Sequence, residues 1–216
     1  TVTRAGILFI SEAQQWKNYV QSWIDHYTEE EPFQVKAEAK AARKAKLEEL
    51  FAKYCEAVLL ELRMNYKHML PNLLDFGLVQ ALCNLLDDLL VVENVGVAGA
   101  EHFEIYFVLA CVWAFGGAMS ITSGVDYRKK FSQYWKDTWK TVKFPHRGEV
   151  FDCFVDQTKH EFTPWTEIVP EIAFDSATTP MGQVTVPTSE TVAISYWLDN
   201  LIKNKHGAML VLSLIH

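Results

Sequence analysis

Residues 103–121, FEIYFVLACVWAFGGAMSI, form an almost uninterrupted apolar run. A helix that is apolar on every side has to be covered, either by lipid or by protein. Crossing a bilayer takes about 20 cleaner residues. This run holds Glu104, breaks at Gly116-Gly117, and follows Glu101 and His102. The expectation is a buried core helix, with no membrane partner. The chain has 216 residues, 50% of them hydrophobic, which suffices for one domain or two small ones around such a core.

A helical texture extends from Trp16 to about Lys143, after a short apolar strand expected at 5–10 (AGILFI). In VKAEAKAARKAKLEELFAKYCEAVLLELRMNY, Leu47, Leu50, Phe51, Tyr54, Val58 and Leu62 recur every three or four positions, so one side is buried and the other solvated. The basic run from Lys36 to Lys46 reads as the solvated face, because Glu38, Glu48 and Glu49 lie within or beside it. PNLLDFGLVQALCNLLDDLLVV places Pro71 and Asn72 at a helix start and puts Leu73, Leu74, Val79, Leu82, Leu86, Leu89 and Leu90 on a broad apolar face. Its Asp87 and Asp88 are neighbours in sequence; adjacent helical residues do not face one another, so a paired acid–base role is not expected. VDYRKKFSQYWKDTWKTVK supplies an amphipathic helix with Tyr127, Phe131, Tyr134, Trp135 and Val142 as anchors. Trp113, Phe115, Gly116 and Gly117 read as a close helix contact, the glycines permitting backbone approach.

The texture changes at FPHRG. From Glu149 to Val186, short β-forming runs alternate with turn residues, including Pro164, Pro170 and Pro180, which predicts a short hairpin and then an extended connector. A helix follows in PTSETVAISYWLDNLIKNKHG: Thr188, Ser189 and Glu190 suit its N-terminus, Lys203, Lys205 and His206 its C-terminal dipole, and Gly207 its stop. The closing residues AMLVLSLIH have the pattern of a buried parallel strand.

Charge narrows the partners. The 20 Lys and Arg stand against 27 Asp and Glu, and the formal net charge of −7 gives no long-range attraction for a polyanion, so nucleic acid is not expected. Cys55, Cys83, Cys111 and Cys153 lie far apart in apolar contexts without a CxxC pair, as buried reduced thiols do. The seven histidines do not cluster at metal-ligand spacing, and no metal site is expected. Motifs for a phosphate loop, a dinucleotide fold, a zinc protease, a nucleophile elbow or an EF-hand are absent from the sequence. The opening TVTRAGILFI has neither an initiator methionine nor the pattern of a signal peptide, so a cytoplasmic piece of a longer protein is expected. By composition and periodicity alone the chain is a largely helical segment without a self-sufficient active site.

Four stretches carry a resemblance. TVTRAGILFI resembles the dynein heavy-chain pattern ATVSRxGxxY at the end of an AAA+ large subdomain. YFVLACVWAFGGAM with VDYRKKFSQYW resembles the axonemal dynein run FxxWAFGGA…VDYRxxFSxWW. TVKFPHRGEVFDCFVDQTKHEFTPWTEIVP resembles KFPxxGTVFDYxxDxxxKxFxPW, and VPTSETVAISYWLDNLI resembles VPTxxTVRxxYxMDxLL at the entry to a following module. Their order matches that of an axonemal dynein heavy chain at the end of its second AAA+ module and the start of its third, and the similarity is weakest between about residues 16 and 70.

The resemblance implies a mainly α fold: residues 1–12 as the last strand of one AAA+ large subdomain, 13–145 as a helical AAA+ small subdomain, 146–186 as a β-hairpin and extended connector, and 187–216 as the first helix and strand of the next α/β large subdomain. It implies a share in an ATP-driven motor ring that moves along microtubules, in the cytoplasm and cytoskeleton of a cilium or flagellar axoneme, with neighbouring AAA+ modules and other dynein subunits as partners. ATP and Mg are implied for the parent motor and not expected on the isolated chain. Arg4 matches the position where AAA+ proteins place an arginine finger, which would act on the preceding module; its other reading is a structural arginine paired with a carboxylate at the module boundary. Val186, Pro187 and Thr188 match a segment implied to pack on adenine, or simply start a helix. Arg128 matches a helix that can carry a sensor arginine, or is a salt-bridging surface residue. After AMLV the family continues into GxxGTGK, where this sequence has LSLIH. Without that loop, its lysine and the acid of the next strand, the chain is not expected to hydrolyse ATP alone. A noncatalytic helical interaction module is the alternative.

Overall fold

The computed structural model describes residues 15–29, 37–66, 74–96, 100–171 and 186–208. The expected strand at 5–10, Arg4, the later part of the connector and the expected strand after Ala208 lie outside these residues.

Helix α5 (Phe103–Gly116) is the hub. Its Phe107, Val108, Leu109, Ala110, Cys111 and Val112 are completely covered, so burial extends around the whole helix, as its sequence requires. The main helices covering it are α2 (Ala37–Asn65) and α3 (Asp75–Leu89), with α1 (Gln15–Glu29) packed in turn on those two; all three are amphipathic, and the most extensive packing is between α3 and α5. Among the described residues no helix is long and apolar enough to cross a membrane. A short α4 (Val92–Val95) follows α3 and ends at Gly96, whose φ of 67° lies in the left-handed region that glycine adopts without strain.

The apolar run divides after Gly116. A Cβ on that residue would lie 2.7 Å from the Phe131 and Phe151 rings, so the glycine admits aromatic side chains where a backbone approach was expected. Met119 stays buried, but Ile121 is 71% exposed and belongs to a hairpin. Strands β1 (Ile121–Thr122) and β2 (Val125–Asp126) flank Ser123 and Gly124, with φ of 53° and 78°. Positive φ at both central residues is the signature of the tight hairpin turns whose twist matches that of the strands.

Helix α6 (Tyr127–Thr138) is capped by Asp126, whose side chain accepts from the Lys129 amide at 2.9 Å. It stops before the expected Lys143. Trp139 takes extended backbone and lays its indole 4.5 Å from Trp135 and 5.4 Å from Tyr54, so aromatic packing draws the chain out of helical register. Val142 packs on the core from the following loop. A 3-10 turn (Val150–Asp152) precedes the expected hairpin, β3 (Cys153–Asp156) paired antiparallel with β4 (Glu161–Pro164). A second 3-10 turn (Trp165–Ile168) follows it, and α7 (Ser189–Lys203) closes the described fold.

Three local expectations are corrected. Leu74 precedes α3 as its N-cap and is 47% exposed, because only residues within the helical repeat share its apolar face. Arg43, inside the run expected to be solvated, is only 3% exposed: its Nη2 donates to the Gly96 carbonyl at 2.7 Å and its guanidinium lies 5.8 Å from the Phe103 ring centre. The chain leaves α7 at Lys205, φ 61°, and not at Gly207. The Lys205 amide donates to Ile202 and the His206 amide to Leu201, the paired bonds of a Schellman motif. All four cysteines are buried and free.

Candidate functional site at the groove beside α7

Helix α7 is capped at its start and held to the helical unit along its inner face and beyond its end. At its start, Thr188 Oγ1 accepts from the Thr191 amide at 3.2 Å while the Thr188 amide donates to Thr191 Oγ1 at 2.8 Å, a reciprocal cap. On its inner face, the Trp197 ring lies 5.6 Å from that of Trp113, and Tyr196 packs at 5.2 Å on Trp165. Trp165 is held in turn by its Nε1, which donates to the Phe151 carbonyl at 3.0 Å. Beyond its end, Asn204 Nδ2 donates to Asp88 Oδ1, and His206 Nε2 lies 3.4 Å from Asp87 Oδ2. Asp87 Oδ1 also accepts from Trp23 Nε1 at 2.8 Å, so α7, α3 and α1 are joined in series. Burial pushes the Asp88 carboxyl above the ordinary range, against the opposing Asn204 bond and the nearby His206 and Lys203.

Between α7 and the α5–α6 junction runs a groove of about 1110 Å³. Its floor is apolar, with Leu85, Trp113, Phe151, Ile194, Trp197 and Leu201, and its rim carries Asp126, Glu149, Asp152 and Glu190. Arg128 is the one cation among the described lining residues. Its guanidinium lies 4.4 Å from the Phe151 ring centre and 5.4 Å from that of Trp113, a cation–π position that keeps it along the wall. Burial, with Asp126 and Asp152 nearby, raises the Glu149 carboxyl above its ordinary range, although Arg128 and Lys129 oppose the shift. The local potential is therefore negative despite Arg128.

The Dynein heavy chain AAA lid domain family matches residues 47–167, which run from α2 through the turn after β4. The chain is 39% identical over 98% of its length to the dynein alpha chain of the flagellar outer arm of Chlamydomonas reinhardtii. It is 42% identical to a ciliary dynein beta chain of Tripneustes gratilla and 39% identical to the human dynein axonemal heavy chain 9, again over 98% of this chain. The chain belongs to the dynein heavy chain family. It spans only 4–5% of the length of these dynein relatives.

The dynein lid match ends before α7, so the groove lies where the lid meets the element that follows it. Of the described residues singled out from the dynein resemblance, Arg128 lines this groove and Val186, Pro187 and Thr188 do not. Ser189 and Glu190 line it, while Val186 stands just upstream at 64% exposure. The fit to a nucleotide is uneven. An exposed Val186 beside Pro187 suits the flat apolar face of a base, whereas four rim carboxylates against one stacked arginine do not suit a triphosphate. Among the described residues no group of three or more His, Cys, Asp or Glu is placed to hold a metal ion. Sequence reasoning missed the Trp113–Trp197 contact and the Asp88–Asn204 bond. The latter joins residues 116 apart, with no local signal to reveal it. The Glu149–Asp152 pair did carry one: acceptors three residues apart, which form a capping box.

Proposed function

We propose that this chain is a coupling element of a ciliary or flagellar dynein motor ring, comprising the helical small subdomain of the second AAA+ module and the start of the third. The carrying observation is that α7, the expected first helix of the next module, is seated on the dynein lid by buried Trp197, by Trp165 against Tyr196, and by the Asp88–Asn204 bond. A helix held at several points along its length moves with its support. Displacement of the helical unit is then passed to the next module as a rigid-body motion, which lets ATP binding and turnover elsewhere in the ring act on a microtubule track.

Within this reading, Val186 and Pro187 would lie against a base, and Thr188 keeps α7 capped beside it. Phosphate, Mg and the chemistry of hydrolysis belong to other residues of the parent heavy chain; ATP supplies the free energy that this element transmits. Arg128 acts as a wall of the groove that can meet the facing module, and Arg4 as an arginine finger toward the preceding one. The axoneme is the proposed location, and adjoining AAA+ modules of the same heavy chain are the immediate partners.

The test is Trp197→Ala in a complete axonemal heavy chain carrying this segment. Removing a buried tryptophan costs about 3–5 kcal/mol of local packing, so α7 should come loose from the lid. Basal ATP turnover should persist while microtubule gliding slows several-fold. Gliding and turnover both at the parent level would refute the coupling role.

A further inference from the structure

Away from the groove, two imidazoles meet face to face. His102, which directly precedes α5, stacks on His160 in the β3–β4 turn, with ring centres 3.5 Å apart and planes within 6°. His160 has a φ of 51°, its amide donates to the Asp156 carbonyl at 2.8 Å, and its Nδ1 is buried without a hydrogen-bond partner. Tyr106, one turn into α5, presents its ring to His160 edge-on at 6.3 Å.

This arrangement does not suit chelation. Imidazole lone pairs lie in the ring planes, and no single ion can occupy two parallel planes this far apart. A stacked pair responds instead to charge. A proton on His160 sets a positive charge against the face of the stacked His102 ring, beside the N-terminus of α5. We propose that the His102–His160 stack is an acid-released latch that seats the β3–β4 hairpin on the N-terminus of α5. The hairpin leads directly into the turn carrying Trp165, which lines the groove and packs on Tyr196 of α7. Releasing the latch therefore loosens the seat of α7.

The groups around the latch give the sign. Burial, then the neighbouring His102, lowers the affinity of His160 for a proton, and Asp156 on β3 opposes them. From α5, Tyr106 brings a phenol pushed up to about 12 by burial, with Tyr196 of α7 and Asp156 adding to the shift; both phenols are neutral in the relevant range. Glu101, Lys159 and Glu161 adjoin the two histidines in sequence. A histidine whose folded-state pKa is depressed stabilises the seated form fully above the unfolded value of about 6.5, and that stability is lost as pH falls toward the folded value.

The experiment is hydrogen exchange of the β3–β4 amides in the 216-residue chain between about pH 7.5 and 5.5, corrected for intrinsic exchange and followed beside the histidine Cε1 proton resonances. Hairpin protection should fall on acidification by roughly tenfold for each unit of pKa depression, while the α3 and α5 amides hold. His160→Asn keeps a residue that tolerates the left-handed turn but removes the titrating ring, and should make hairpin protection independent of pH. His102→Phe keeps a stacked ring and should shrink the acid effect. Flat protection in the parent chain, or an undiminished acid loss in His160→Asn, would overturn the latch.

Discussion

Lys205 occupies backbone that glycine prefers. At φ 61° it closes α7, while Gly207, two residues on, has open space around its Cα. An L-residue in the left-handed region gives up about 1–2 kcal/mol relative to the right-handed one. Lys205→Gly should therefore raise unfolding stability by about 1 kcal/mol, and Gly207→Ala should change it by less than about 0.5 kcal/mol. Urea unfolding of the two variants checks both, and equal effects would show that the stop had been misplaced. The sequence pointed to Gly207 because glycine is the usual signal; tertiary bonds decided otherwise, since Asn204 and His206 are held by Asp88 and Asp87 and the turn must fall between them. Arg43 teaches the same lesson. A basic run reads as solvated, but the Gly96 carbonyl and the Phe103 ring, both distant in sequence, draw one member of it inside.

At the scale of elements, periodicity succeeded where a helix carries its own boundary signals. The α7 start is the clearest instance, because Thr188 and Thr191 satisfy each other's amides. Thr188→Ala should cost about 1 kcal/mol and speed amide exchange in the first turn of α7, leaving α5 unchanged; uniform loss across both helices would contradict a local cap. The β3–β4 hairpin was legible from β-formers between turn residues, and α5 from its apolarity. The β1–β2 hairpin was not, because its strands are two residues long and sit between two strongly helical segments. Its signal was present in Ser123-Gly124, a dipeptide that accepts positive φ twice. The end of α6 carried no such signal: Trp139 leaves the helix to meet Tyr54, a partner from α2.

For the whole molecule, the groove was the least legible feature, because its lining runs from Leu85 to Ala208 and exists only once α7 has docked. Two carboxylates that hold helices together, Asp88 buried and Glu104 half-buried, give that assembly an unusual pH response. Glu104 ties α5 to α2, accepting from Lys53 Nζ at 2.6 Å and from the Tyr54 hydroxyl at 2.8 Å. Burial alone would raise its pKa, but these two bonds outweigh burial and hold it below the ordinary range. Asp88 ties α3 to α7 through Asn204, and there burial prevails and the pKa is raised. The signs are opposite. The Glu104 contribution is present above its unfolded value of 4.5 and is lost as pH falls through the lower folded value. The Asp88 contribution is present below its unfolded value of 3.8 and is lost as pH rises through the higher folded value. Glu104→Gln should therefore destabilise most at neutral pH, with its deficit shrinking on acidification. Asp88→Asn, which keeps an acceptor for Asn204 and cannot ionise, should be most favourable relative to the parent at neutral pH and lose that advantage in acid. Unfolding free energies of each variant minus the parent, measured from about pH 7 to 4, should therefore both shrink in magnitude toward acid, from a deficit for Glu104→Gln and from an advantage for Asp88→Asn. Differences of the same sign would mean that one of the two ties does not hold its helices as described.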